Sequence, residues 1–346
     1  MTGPILPGGR PAEGRPPKRH VDAWRPLSVL REQEPLWGGG VATPARMRWA
    51  EVTTLFLAGA ECALRCTMCD LWRQTLDRPT PRGAIPDQMR QAIPERPSPG
   101  QAEVWVKLYN ASNFFDRRCV PREDWPAIAE RVHGFGRVIV ENHPRWVRQP
   151  IETFAGMLGG RLEIAMGLES SDPVTLRLLD KRFTPDGFRR AAGRLAEIGV
   201  DLRVFLMFQP PGTSRGDAVE KLLDSLRFAE GVGARHASII PTRGGQPGME
   251  TLARAGRFTP PTASDFETAI EAALGLASTM VITPDLWDWR ALPGTCARCS
   301  EPRRRRLVLM SRYQTVGPMP SCLCDCRDGG AAGHDRRRST VGEGTR

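Results

Sequence analysis

The sequence holds no apolar run of the roughly 18 residues that a membrane span needs, so no membrane partner is expected. Its opening stretch, MTGPILPGGRPAEGRPPKRH, has basic residues but no apolar segment behind them. That excludes a secretory signal and points to the cytoplasm. Tyrosine is scarce, with two residues, and aromatics make up only 7% of the chain, which argues against an extended base-stacking surface for single-stranded nucleic acid. Tryptophan, with nine residues, is the exception. Trp24, Trp37 and Trp49 fall in or beside the N-terminal stretch, where they can anchor it to a core. No segment before residue 50 or after residue 280 has room for a B12-binding domain.

What is present is a chain of 346 residues, 40% hydrophobic, enough for one large core with a small appendage. The net charge of +10 is concentrated at the ends. Residues 1–50 carry eight basic and four acidic residues, residues 301–346 carry ten and five, and residues 51–300 are left at +1. Basic flanks beside a near-neutral centre fit a polyanionic partner such as RNA; a solvated basic tail is the plain alternative. No DNA partner is expected. Residues 1–45, rich in Pro, Gly and Arg, read as a disordered or draped arm, and residues 328–346 as a disordered basic tail.

Between these, β-rich apolar runs alternate with helical patterns. The runs are VTTLFLAG (52–59), AEVWVKLYN (102–110), RVIVENH (137–143), RLEIAMGLES (161–170), DLRVFLMFQ (201–209) and HASIIPT (236–242). Helices fit residues 121–135, 185–200, 214–233 and 264–278. Six strand–helix repeats give an α/β chain with a parallel sheet. Its strands look buried on both faces. Periodicity alone leaves an open sheet and a partial barrel as equals.

Nine cysteines in a reducing compartment are metal ligands or catalytic groups before they are disulfides. Three, Cys62, Cys66 and Cys69, follow the first strand in LFLAGAECALRCTMCDLW with C-x3-C-x2-C spacing. Three thiolates can hold an iron–sulfur cubane and leave one iron open to a small molecule. The ends of parallel strands are where α/β folds place their active sites. Zinc, with a fourth ligand from elsewhere, is the rival. Cys119 stands alone and reads as a small buried hydrophobe.

CALRCTMC and the alternation after it resemble the radical S-adenosylmethionine (SAM) superfamily over about residues 50–245. The resemblance implies a partial (β/α)6 TIM-like barrel over residues 46–280, a [4Fe–4S] cluster on Cys62, Cys66 and Cys69, and SAM on the open iron. It also implies reductive cleavage of SAM to a 5′-deoxyadenosyl radical and a reductant such as flavodoxin or ferredoxin. Met68 stands where many members have an aromatic residue. The segments VIVENHPRW, AMGLESSDPVTLRLLDKRFT and FLMFQPPGT are similar to the branch of the tRNA methylthiotransferases and the elongator acetyltransferase subunit. NASNFFD resembles the archaeosine synthase family, which implies tRNA as partner. By these matches Ser112 and Asn113 lie near the methionyl end of SAM, Glu141 and Glu169 face its ribose or amino group, and Arg182 pairs with its carboxylate. Asn110, Asn113 and Gln209 depart from the archaeosine pattern.

Cys296 and Cys299 form a CxxC knuckle, and Cys322, Cys324 and Cys326 a CxCxC group. With RLVLMSRYQTV between them as a hairpin, they read as a second metal-binding subdomain, residues 281–327, holding zinc or an auxiliary iron–sulfur cluster. Arg303 to Arg306 at its base would face solvent or an RNA backbone. Three functions are carried forward: a radical SAM enzyme of tRNA or nucleoside modification, one acting on a small metabolite or peptide, and a non-enzymatic iron–sulfur sensor of nucleic acid.

Overall fold

The computed structural model describes residues 18–36, 48–93, 95, 97–98, 101–276 and 279–320. Its strands form one sheet in chain order: β1 (Ser28–Leu36), β2 (Arg48–Phe56), β3 (Gln101–Tyr109), β4 (Phe135–Glu141), β5 (Arg161–Glu169), β6 (Asp201–Phe208), β7 (His236–Pro241) and β8 (Val281–Pro284). β1 is antiparallel to β2, and every later neighbour pair is parallel. The sheet curls into a nearly closed, TIM-like α/β barrel, as the motifs implied.

Two-residue alternation gives the curled sheet two unlike faces. One face of each strand is apolar: Val106, Leu108, Val138, Val140, Ile164, Val204 and Leu206 join one core with Met89, Ile128, Phe154, Phe188 and Leu226 of the surrounding helices. Those helices are α1 (Ala84–Ala92), α2 (Trp125–Arg131), α3 (Pro150–Ala155), α4 (Pro173–Leu178), α5 (Pro185–Glu197), α6 (Ala218–Gly231), α7 (Pro247–Arg254), α8 (Ala263–Gly275) and α9 (Ser300–Tyr313). Capping sets three of their starts: Asp172 accepts from the Val174 N–H, Thr184 accepts from the Gly187 N–H, and Thr262 with Asp265 makes a capping box. The other strand face lines the lumen, where a small cluster of Ala50, Val52, Trp105, Ile139 and Ala165 meets buried Glu34, Lys107, Glu163 and Arg203.

Three expectations are corrected. The sheet has two strands beyond the six runs. β1 lies within the segment read as a loose arm, and it escaped notice because Glu32 and Glu34 face lumen cations rather than apolar neighbours. β8 opens the segment assigned to a separate subdomain. RLVLMSRYQTV is mostly helix, within α9, and not a hairpin. Nor do the arginines of α9 all face outward. Arg303 and Arg306 are buried, with Arg303 Nε donating to Glu267 Oε2 at 2.7 Å and Arg306 Nη1 2.7 Å from Glu271 Oε1.

α9 packs on both edge strands of the sheet. Arg312 donates to Gln33 of β1 at 3.1 Å. The Gln314 amide pairs with the Ile282 backbone of β8 through two bonds of 2.8 Å, occupying an edge that would otherwise be open. Cys322, Cys324, Cys326, the 328–346 tail and most of the N-terminal arm lie outside the described residues.

Candidate active site

The three-cysteine loop leaves the C-terminal end of β2. A bridge between Ala60 and Leu76 closes its base. Its tip is tied to the end of α4, because the Thr67 N–H and hydroxyl both donate at 2.9 Å to the carbonyls of Leu179 and Leu178. From the other side Gly248 of α7 presses on Thr67, where an added Cβ would come within 2.7 Å of the threonine methyl. Lys18 reaches in from the N-terminal arm to Glu61 at 2.9 Å and Asp77 at 2.8 Å.

Asn113, after β3, donates to Cys62 Sγ at 3.0 Å. Burial pushes the Cys62 thiol up, and the Leu64 N–H and the Asn113 amide work the other way. Ser112 turns instead to Cys119, with Oγ and Sγ 2.9 Å apart. Cys119 is fully buried, and burial pushes its thiol up to about 12, in keeping with a packed hydrophobe.

Sequence reading missed Lys181. Its ammonium is buried beside this loop, 3.0 Å from Glu169. Burial opposes its charge, but Glu169, and behind it Cys66 and Cys69, more than offset this and hold its pKa at about 12. Glu169 reaches the ammonium through a break in the β5–β6 register and a left-handed backbone, φ 63°. Gly167 makes the room: a Cβ there would lie 2.3 Å from Glu169 Oε1 and 3.0 Å from Lys181 Nζ. His143 accepts at Nδ1 from the Arg145 N–H and so donates from Nε2 to the Lys181 carbonyl at 2.9 Å. Burial first, and Lys181 second, lower its pKa to about 3, so the imidazole is neutral. Arg182, the residue chosen from the motif, is exposed and forks onto Asp180 at 3.1–3.4 Å. Its φ of 54° is one a glycine would take more readily. Asp180 is its main partner, and Cys66 of the three-cysteine loop acts on it more weakly.

Glu141 ends β4 and accepts from the Asn110 N–H at 3.2 Å. Burial pushes its carboxyl up to about 7, against the pull of the Asn110 and Ala111 amides. Around it stand buried polar atoms that no protein group satisfies: both side-chain atoms of Asn110 and of Asn142, and Oε1 of Gln209 and of Gln246. These residues are 0%, 4%, 2% and 8% exposed. They follow β3, β4, β6 and β7, at the C-terminal mouth of the barrel. Gln209 Nε2 itself donates to the Thr259 carbonyl at 2.7 Å. A buried amide without a partner costs about 1–3 kcal/mol, and two such amides with two further unsatisfied amide oxygens at one end of the fold suit a polar ligand's seat. Nothing in the sequence signalled Asn142 or Gln246, since their burial is a tertiary property.

The donor chemistry fits an iron–sulfur cluster: three thiols on one short loop, beside a fixed cation and the unsatisfied amides. Among the described residues no three Cys, His, Asp or Glu side chains already form a closed metal cage. Cys296 and Cys299 lie apart at the start of α9 with their sulfurs 3.1 Å from each other.

No family model matches the chain. The chain is 24% identical over 277 residues to archaeosine synthase subunit beta of Methanosarcina acetivorans, covering 76% of this chain and 78% of that one. In shape it is similar to Elp3 of the archaeon Methanocaldococcus infernus, at 16% identity and a TM-score of 0.45, over 60% of this chain and 54% of Elp3. It is similar also to Streptococcus suis SuiB bound to S-adenosylmethionine, at 12% identity and a TM-score of 0.48, over 66% of this chain and 48% of SuiB. The chain thus spans about half the length of these two solved proteins. The resemblance that the motifs carry is borne out by this similarity.

Proposed function

We propose that the mouth of the barrel binds a [4Fe–4S] cluster and SAM and that the enzyme modifies a base in tRNA or a nucleoside derived from it. The observation that carries the reading is the set of buried, unsatisfied amides beside the three-cysteine loop. Cys62, Cys66 and Cys69 hold the cluster through their thiolates. When bound, the pair supplies the one-electron cleavage of SAM and a 5′-deoxyadenosyl radical able to take hydrogen from a substrate.

The chain's own part is binding, orientation and exclusion of water. Lys181, kept charged by Glu169, meets the SAM carboxylate in place of Arg182. Ser112 and Asn113 border the methionyl end, and Glu141 and Glu169 accept from the ribose or the amino group. Asn110, Asn142, Gln209 and Gln246 complete the polar seat. Flavodoxin or ferredoxin is the kind of electron donor required. The tRNA assignment draws on the archaeosine synthase relative and on the basic termini. A cytoplasmic setting accords with it; no described helix is long and apolar enough to cross a membrane. Cys296 and Cys299, with Cys322, Cys324 and Cys326, are proposed as a second site for zinc or iron–sulfur, to be read from metal content with and without those cysteines.

The test is anaerobic. The protein is reconstituted with iron and sulfide, given SAM and dithionite, and assayed for 5′-deoxyadenosine beside a triple Cys62/Cys66/Cys69→Ala variant. Deoxyadenosine from the intact protein alone upholds the reading. A cluster that leaves SAM untouched sinks it and favours a sensor. A salt-dependent affinity for tRNA then separates RNA chemistry from action on a metabolite or peptide.

A further inference from the structure

Below the unsatisfied amides the lumen wall changes character. Trp287, Phe56, Tyr109 and Phe205 follow one another as a chain of rings, with centroids 6.1, 6.3 and 6.2 Å apart. They come from the loop after β8 and from β2, β3 and β6. Tyr109 and Phe205 are therefore in contact across the lumen, not along one strand. Phe56, Tyr109 and Phe205 are half-buried, and Trp287 is 61% exposed, the most exposed of the large hydrophobic residues described.

The ring of Trp287 is placed deliberately. The backbone N–H of Trp287 donates to Asp285 Oδ1 at 2.8 Å, its backbone carbonyl accepts from Arg243, and Asp288 turns the chain away with φ 57°. The result is a rigid turn that presents an indole beside Phe56, across the gap between the two edges of the sheet. Among the described residues β1 pairs only with β2 and β8 only with β7. At this level β1, residues 28–32, is exposed.

The facing strands offer hydroxyls. Phe205, Ser238 and Thr283 share one register level on β6, β7 and β8. Ser238 Oγ lies 3.0 Å from Thr283 Oγ1, which lies 2.8 Å from His236 Nε2. Ring faces on one wall and hydroxyls on the other match a ligand that is flat and apolar on its faces and hydrogen-bonding at its edge.

We infer that the space between these walls is the substrate subsite, and that a planar heterocyclic base enters from the C-terminal mouth of the barrel, stacks on Trp287 and Phe56, and is read at its edge by Ser238 and Thr283. The inference rests on the mouth being the active site and adds where the substrate lies and what part of it is gripped. A base within RNA and a free nucleoside present the same ring, so the experiment includes both.

Equilibrium binding to the reconstituted protein is measured with guanosine, adenosine, a tRNA transcript and ribose 5-phosphate, for the wild type and for Trp287→Ala, Trp287→Phe and Trp24→Ala. Trp24 is a second exposed indole, outside the lumen. Ring probes are expected to bind in preference to ribose 5-phosphate and to weaken about tenfold in Trp287→Ala. Trp287→Phe retains binding within about threefold, and Trp24→Ala matches the wild type. Preference for tRNA over guanosine identifies the base within RNA as the source, and equal affinity the free nucleoside. Failure of every ring probe to bind, equal binding of ribose 5-phosphate, or an unchanged Trp287→Ala overturns the subsite. Because the readout is binding, that failure is distinct from absence of 5′-deoxyadenosine, which tests the radical reading instead.

Discussion

The two ends of this lumen handle buried polarity in opposite ways. At the floor every charge has a partner. Arg203 forks onto Glu34 at 2.7 and 2.9 Å and reaches Glu163 at 2.7 Å. Lys107 meets Glu32 at 2.8 Å and also Glu34. Arg137 bridges Glu163 and Asp201 at 2.8 and 2.7 Å. At the mouth Asn110, Asn142, Gln209 and Gln246 are as deeply buried and incomplete. The floor is finished by the chain itself and ties β1, the odd antiparallel strand, to the parallel sheet. On the function proposed above, the mouth is finished by the bound cofactors. On that reading the contrast separates polar burial that serves folding from polar burial that serves a ligand.

The sharpest way to break this contrast is to cut one residue from each end. Arg203→Met strands Glu34 and Glu163 in the core and should cost about 3–5 kcal/mol in chemical denaturation, whatever ligand is present. Asn142→Leu removes an amide that has no partner. Its stability should stay level or rise by up to about 1 kcal/mol, while SAM affinity falls about tenfold. Equal stability losses from the two substitutions would erase the distinction.

Acidity probes the same ends with opposite signs. Burial alone would raise Glu34 and Glu163, but Arg203 first, then Lys107 for one and Arg137 for the other, hold both below the usual 4.5. Their contribution is full above that value and is lost as pH falls through their lowered folded values. Glu141 is raised to about 7 by burial. The folded state therefore holds a proton that the unfolded chain releases, and stability declines as pH climbs from about 4.5 to about 7. Glu141→Gln should remove that decline and leave acid unfolding in place. Denaturation midpoints at about pH 3, 5 and 7.5 separate the two effects. A wild-type curve flat between the upper two points would put the Glu141 carboxyl in a wetter place.

How far the sequence announced all this follows the same division. β2 to β7 were legible as nearly continuous apolar runs bounded by turn and polar residues. β1 was not, because its inward residues are the acids that the floor cations require, and β8 is only four residues long. α9 was taken for a hairpin because its cysteines suggested a ribbon, while its role is to cover the sheet edges through Arg312 and Gln314. The C-x3-C-x2-C loop was legible as chemistry from spacing alone. The amides were not, since a glutamine or asparagine reveals its burial only when the fold is known.

Lys181 and Arg182 show the finest version of that limit, and they give the smallest expected effect. Two cations stand side by side, and a guanidinium fork seemed the better match to a carboxylate. The backbone separates them. Arg182 sits at φ 54° with its side chain in solvent, and Lys181 is buried against Glu169. Arg182→Gly removes an exposed ion pair of little worth and relieves a left-handed position, while giving the unfolded chain more freedom. Stability should shift by less than about 1 kcal/mol, with SAM affinity unchanged. Lys181→Ala, by contrast, strands Glu169 and should weaken SAM binding well beyond tenfold, about the size of a lost charge-assisted contact. Titration of SAM into both reconstituted variants decides between them: if Arg182→Gly loses SAM and Lys181→Ala keeps it, the carboxylate belongs to the guanidinium after all.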